Sequence, residues 1–150
     1  MTPTEIQALI RRRAIEAGID PTHAMTMASI ETGGTFNPKA VNRAGTHKGL
    51  FQFGPSEWKT YGGGQDVFDP NAQFDAYTKY QSQISNTMKS ALGRDPTPQE
   101  LYLGWQQGAG GASSLLKGGN KPVGNLTTIG NITANGGTPD MTGGQFASLW

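Results

Sequence analysis

The sequence predicts a mainly α domain on three observations. Apolar residues recur at helical spacing in several separate segments, proline stands at the start of most of them, and glycine closes them. The first segment, Thr4 to Ala17, places Ile6, Leu9, Ile10, Ala14 and Ala17 at that spacing, and Gly18 ends it. Asp20-Pro21 opens a second helix, with Asp20 as cap. It runs through His23, Ala24, Met25, Met27, Ala28 and Ile30 to Glu31 and stops at Gly33-Gly34. Being apolar almost all round, it is predicted to be central and buried.

From Thr35 to Gly54 the periodicity vanishes. Asn, Gly, Lys and Thr alternate with Phe36, Val41, Leu50, Phe51 and Phe53, which predicts a long ordered loop or a small hairpin. Loops of this length inside compact domains are usually functional. A short helix from Pro55 to Tyr61 ends at Gly62-Gly63-Gly64. Asp69-Pro70 repeats the start signal for an amphipathic helix with Phe74, Tyr77, Tyr80 or Gln81, Ile84, Met88 and Leu92 inside, closed by Gly93. Thr97 and Glu100 have capping-box spacing ahead of Leu101, Leu103 and Trp105, and the glycines from Gly108 to Gly111 break that helix. A short turn from Ala112 to Leu116 closes the compact part.

At 150 residues the chain has the size of a single domain, with a compact part over about 4–116. The segment 117–150, rich in Gly, Asn and Thr with few charges, is expected to be an arm that packs back on the domain or a linker. The hydrophobic fraction is 35%, and the 22 glycines bring the total to about half, an ordinary globular level.

A net charge of +1 argues against a nucleic-acid partner, which would call for a basic surplus. No apolar run is long enough to span a bilayer. Met1 to Asp20 is punctuated by charge and shows no export signal. Without cysteine there is no disulfide, thiolate site or cysteine nucleophile, and His23 and His47 stand too far apart for a helical metal pair. No metal and no cofactor are expected, and a monomer is favoured.

Glu31 is the residue that calls for an explanation. One turn back on its helix lie Met27 and Ala28, with Ala24 a turn earlier on the same side. The acid is thus aimed along an apolar stripe at the negative end of the helix dipole. Burial and the dipole both raise a carboxyl pKa, which suits a general acid near neutral pH. The plain alternative is a surface acid just past a frayed helix end.

The segment Ile30-Glu31-Thr32-Gly33-Gly34-Thr35-Phe36-Asn37-Pro38 and the later Gly49-Leu50-Phe51-Gln52-Phe53-Gly54-Pro55-Ser56 bear on that choice. In order and spacing they resemble the soluble lytic transglycosylase family of the lysozyme-like superfamily. That family joins a catalytic Glu-Ser pair to a Phe-Asn-Pro turn, a Gly-Leu-Met-Gln loop and a Pro-Ser/Thr helix start. Leu103-Gly104-Trp105-Gln106-Gln107-Gly108-Ala109-Gly110 falls where the family has Ala-Tyr-Asn-Ala-Gly. The resemblance covers about residues 20–116, is strongest over 30–56, and looks closest to phage-encoded members.

The resemblance implies a lysozyme-like fold and cleavage of bacterial peptidoglycan between N-acetylmuramic acid and N-acetylglucosamine. Glu31 would act as general acid and then as base, leaving 1,6-anhydromuramic acid ends. Thr32, in place of the family serine, would orient Glu31. Gly49, Leu50, Phe51, Gln52 and Phe53 would support or bind substrate, with Phe51 as an apolar wall for sugar or for the acid, Gln52 as an amide for an N-acetyl group or hydroxyl, and Gly49 allowing close approach to the glycan. Trp105, in place of the family tyrosine, would donate to Glu31 or stack on a sugar face, with a core aromatic as the alternative, and Gln106, in place of the asparagine, or Gln107 would supply the polar contact. With no export signal visible, the resemblance implies action at the wall after release as a phage endolysin through a holin-type pore, or as a virion-associated domain.

Other carboxylates compete for a hydrolytic role, which needs a second acid. Glu57 sits in the first turn of its helix and Asp69 caps the next, whereas Asp66 has no evident structural task in the sequence and is the candidate second carboxylate. His47 in the loop could meet substrate, though a lone loop histidine is usually solvated. A muramidase on the same fold, or a catalytically silent glycan-binding or virion module, are the alternatives.

Overall fold

Thr2 begins the first helix by accepting a hydrogen bond on its hydroxyl from the Glu5 N–H at 3.2 Å, while the Glu5 carboxylate accepts from the Thr2 N–H at 2.6 Å. This capping box starts α1, Pro3–Ala17, slightly ahead of the predicted Thr4. Gly18, left-handed at φ 70, closes it as expected. The computed structural model describes residues 1–118, and among them the secondary structure is five helices with no strand. The others are α2, Pro21–Glu31; α3, Pro55–Tyr61; α4, Pro70–Leu92; and α5, Pro98–Gly118. The predicted arm over 117–150 lies outside the described residues apart from the last turn of α5.

By internal packing the chain divides into two compact units, one spanning 1–80 and the other beginning at Gln81, so the boundary falls inside α4. No helix among the described residues is long and apolar enough to cross a membrane.

In the first unit, α1 packs on α2. Ile6, Leu9, Ile10 and Ala14 of α1 and Ala24, Met27 and Ala28 of α2 are buried, the faces that helical spacing marked out. Asp20 caps α2 by accepting from the Thr22 N–H at 2.9 Å, and Asp69 caps α4 by accepting from the Asn71 N–H at 2.8 Å. Arg13 does more than an exposed helix residue. Its guanidinium donates to Asn71 Oδ1 at 3.0 Å, pairs with Asp75, and lies 5.3 Å from the Phe74 ring centre. It ties α1 to the first turns of α4.

In the second unit, the Thr97–Glu100 capping box forms in both directions, and Arg94 grips the Glu100 carboxylate with two hydrogen bonds of 2.7 and 2.8 Å. The helix break is narrower than the run of glycines suggested. Gly108 alone leaves helical geometry (φ 75, ψ 155), and the chain is helical again to Gly118, beyond the predicted short turn. Gly104 is close-packed, because a β-carbon there would lie 2.6 Å from Ile84 Cγ2.

Candidate active site

The stretch between α2 and α3 resolves the choice between loop and hairpin in favour of a small antiparallel device. Val41 bridges to Lys48, and Lys48 bridges onward to Phe53. The first arm is closed by Gly49 N–H to Ala40 O at 2.8 Å and Asn42 N–H to His47 O at 3.0 Å. Asn42 Oδ1 accepts from the N–H groups of Thr46 and His47 at 2.8 and 3.1 Å, which shapes the tip.

A residue to which the sequence reading gave no role organises this segment. Gln73, at the end of the first turn of α4, is fully buried. Its Oε1 accepts from the Leu50 N–H at 2.9 Å, and its Nε2 donates to Pro38 O at 2.8 Å and Val67 O at 2.7 Å. One carboxamide thus satisfies three backbone groups from three segments, groups that would otherwise be costly to bury. A signal for it exists: Gln73 stands one helical turn before Tyr77, on the apolar face of α4, where a polar side chain needs partners.

Glu31 is the last residue of α2, half-buried at the end of the stripe formed by Ala24, Met27 and Ala28. Burial pushes its carboxyl from the ordinary 4.5 up to about 7. Among the described residues its side chain has no hydrogen-bond or ion-pair partner, and no neighbouring charge contributes to that shift.

Thr32 does not perform the expected orientation of Glu31. Its hydroxyl donates to Ala28 O at 2.7 Å and accepts from the Phe36 N–H at 3.0 Å. The reason is local: at a helix end a threonine hydroxyl reaches the carbonyl four positions back, here sharing Ala28 O with the Thr32 N–H at 3.1 Å. Its effect is to lock the turn after Glu31, where Phe36 holds a left-handed backbone at φ 50. Asn37 Oδ1 continues the turn by accepting from the Lys39 N–H at 2.9 Å.

Several loop residues expected to face substrate face inward. Leu50 and Phe51 are completely buried and Phe53 is 2% exposed. Phe51 stacks on Tyr77 with ring centres 4.2 Å apart and meets Phe74 edge-on at 6.0 Å. It is therefore core rather than a sugar-contacting wall, because the bridges around Lys48 turn the loop's apolar side chains onto α4. Gly49 does permit a close approach, but an internal one: at φ 85, a β-carbon on it would lie 2.6 Å from Gln73 Cδ. Gln52, left-handed at φ 51, donates through Nε2 to Gly49 O at 2.9 Å and Ala40 O at 3.2 Å. Its amide hydrogens are occupied within the loop, so a ligand would be met by the acceptor Oε1.

Asp66 also departs from expectation. It is exposed, and its Oδ1 accepts from the Phe68 N–H at 3.0 Å, so it has the structural task the sequence did not reveal. The Glu57 carboxylate and the His47 ring flank Gly54, since a β-carbon there would lie 2.6 Å from Glu57 Oε2 and 3.2 Å from His47 Nε2. His47 Nδ1 lies 2.9 Å from Thr46 Oγ1.

Trp105 and Gln106 belong to the second unit, both half-buried on α5, and Gln106 Nε2 donates to Tyr102 Oη at 2.7 Å. Ser113 donates to Ala109 O at 2.7 Å, a helix-internal bond. Among the described residues no group of three or more His, Cys, Asp or Glu is gathered closely enough to hold a metal ion. Compared with known proteins, the chain matches no family model and no curated protein.

Proposed function

We propose that the protein is a lysozyme-like lytic transglycosylase of the soluble type, cleaving the β-1,4 bond between N-acetylmuramic acid and N-acetylglucosamine in peptidoglycan with Glu31 as its acid and base. The observation that carries this reading is the state of Glu31: a half-buried carboxyl raised to about 7, with no partner among the described residues and no second carboxylate acting on it. A group with that proton affinity is populated in both forms at neutral pH, as a residue that must first give and then take a proton requires.

In the first step protonated Glu31 donates to the glycosidic oxygen as its bond to the muramic anomeric carbon breaks. The sugar's own N-acetyl carbonyl oxygen stabilises the cation that develops. Glu31, now a carboxylate, removes the proton from the muramic 6-hydroxyl as that oxygen bonds to the anomeric carbon. The 1,6-anhydro product forms, Glu31 regains its proton, and no water is consumed. One carboxylate suffices, whereas ordinary retaining and inverting glycosidases use a pair.

The loop supports this reading through rigidity. Phe36 and Gln52 are non-glycine residues held left-handed within one loop, beside the end of α2 and opposite Ala40. Such strain persists where surrounding contacts over-determine it and clusters at functional sites. The Gln52 Oε1 would accept from a sugar hydroxyl or an N-acetyl N–H. Hydrolysis by the same fold is the reading against which this one is weighed. The engagement of Asp66 with the Phe68 N–H favours the single-acid route.

Mass spectrometry of muropeptides released from purified peptidoglycan by the wild type and by Glu31→Gln tests the proposal. Products lighter by one water than reducing muropeptides, absent with the variant, are expected. Reducing ends would indicate a muramidase. No release by the wild type, with retained sedimentation on walls, would leave a binding module.

A further inference from the structure

The charge distribution around the Ala40–Gly49 hairpin is lopsided in a chain whose formal net charge is only +1. Between Thr32 and Ser56 there is no Asp or Glu, while Lys39, Arg43 and Lys48 all fall on or beside the hairpin. Among the described residues none of these three cations forms an ion pair, and neither do Arg11, Lys59, Lys79 and Lys117, whereas Arg12, Arg13, Lys89 and Arg94 do. Glu57 lies against Gly54 beside the His47 ring, and Asp66 and Asp69 flank Phe68, whose ring Lys48 overlies, yet among the described residues none of them forms an ion pair with the three cations.

The cations are mounted on a fixed frame. Lys48 exchanges backbone hydrogen bonds with Phe53 in both directions at 3.0 Å, and its ammonium lies 5.7 Å from the Phe68 ring centre. Val41 stands opposite Lys48 in an antiparallel bridge, so their side chains leave the same face, and Val41 is 47% exposed. That face is open at Val41 and covered at Phe53, the other residue opposite Lys48, and Lys48 between them is half-buried. Lys39 follows the Asn37 turn and Arg43 sits at the tip held by Asn42, and both are exposed.

We infer that this hairpin is an anion-reading edge, on which Lys39, Arg43 and Lys48 engage carboxylates carried by the peptide stems of the glycan strand. The inference rests on the peptidoglycan reading above and deepens it: the preferred substrate is a strand whose stems are intact and ionised. A neutral glycan would pass the same acid without this added attraction.

The test is sedimentation binding of the full chain carrying Glu31→Gln, which removes cleavage from the measurement. Each form is assayed at low and high salt on teichoic-acid-free peptidoglycan with stems intact, on the same glycan after an amidase has removed them, and on wall that retains its teichoic acid. The form with its three cations is expected to bind stem-bearing strands about tenfold more tightly than stripped ones at low salt, an advantage lost at high salt. Adding Lys39→Gln, Arg43→Gln and Lys48→Gln is expected to abolish that advantage while leaving affinity for stripped glycan unchanged. The charge-preserving set Lys39→Arg, Arg43→Lys and Lys48→Arg is expected to restore it, which excludes misfolding as the cause. Equal affinity of the cationic form for both glycans overturns the hairpin's role and leaves the glycan reading standing. Loss of binding by the triple variant only when teichoic acid is present overturns the carboxylate assignment in favour of phosphate. Binding to neither glycan overturns the hairpin proposal and the glycan reading together.

Discussion

The carboxamide of Gln73 fills the space where Gly49 would otherwise carry a side chain, 2.6 Å from the position of a β-carbon. A polar group buried on α4 and a glycine in a distant loop are therefore one structural unit. The Leu50 N–H, Pro38 O and Val67 O all depend on it. Gln73→Leu is expected to destabilise the fold by about 2–4 kcal/mol, because three buried backbone groups lose their partner together. Gly49→Ala is expected to cost a similar amount through the left-handed backbone and the clash. Urea denaturation measures both, and hydrogen exchange at the Leu50 amide should accelerate in each.

Thr32 separates two roles that the sequence merged. Thr32→Val removes the bonds to Ala28 O and the Phe36 N–H and is expected to cost about 1–2 kcal/mol. Thr32→Ser retains them and should stay within about 0.5 kcal/mol of wild type. Since the hydroxyl does not touch Glu31, neither change should move the Glu31 pKa, which carbon-detected NMR titration reads directly. A clear shift in the serine variant would return Thr32 to the orienting role.

Glu31 should leave a signature in stability as well as in rate. Its folded pKa of about 7 lies above the ordinary 4.5, so the folded state binds the proton more tightly. The resulting stability is fully present below about pH 4.5 and is lost as pH rises through 7. Glu31→Gln, which cannot ionise, is therefore expected to be more stable than wild type at pH 8 by about 1–2 kcal/mol, after allowance for partial exposure. The difference should shrink toward pH 5, and paired denaturation curves at the two pH values measure it.

If Glu31 begins the reaction protonated, kcat/KM should be flat on the acid side and fall about tenfold per pH unit above 7. Turbidity clearance of cell walls across pH 5.5 to 9 gives the profile. A limb centred near 4.5 would show that Glu31 is solvated and would remove the basis for its acid role.

In α5 the glycines are not equivalent. Gly108, at φ 75 and ψ 155, occupies a region closed to other residues, and Gly108→Ala is expected to cost about 1–3 kcal/mol. Gly110 has open space where a β-carbon would sit and helical geometry, so Gly110→Ala should stabilise by about 0.5–1 kcal/mol. Thermal unfolding of the two variants is expected to move in opposite directions.

The helices were legible in the chain itself because their signals are local. Asp20 before Pro21, Asp69 before Pro70 and the Thr97–Glu100 pair act within one helical turn, so spacing alone located α2, α4 and α5. The apolar stripe of Ala24, Met27 and Ala28 behind Glu31 was legible for the same reason, but the spacing left a buried and a surface acid both open, and the structure half-buries it. The partners of the loop residues were not. Gln73 meets Gly49, Leu50 and Pro38 across at least 23 positions of sequence, and no periodicity encodes a contact of that kind. Thr32, Gln52 and Asp66 carry polar groups suited equally to ligand and to backbone. For Thr32 and Asp66 the backbone partners Ala28 O, Phe36 N–H and Phe68 N–H lie within four positions, where spacing allows the bond without selecting it over a ligand, and for Gln52 the folded loop brings Ala40 O within reach. An unpaired backbone group is costly to bury, so a nearby side chain satisfies it first, and the Glu31 carboxyl is left half-buried with no partner among the described residues.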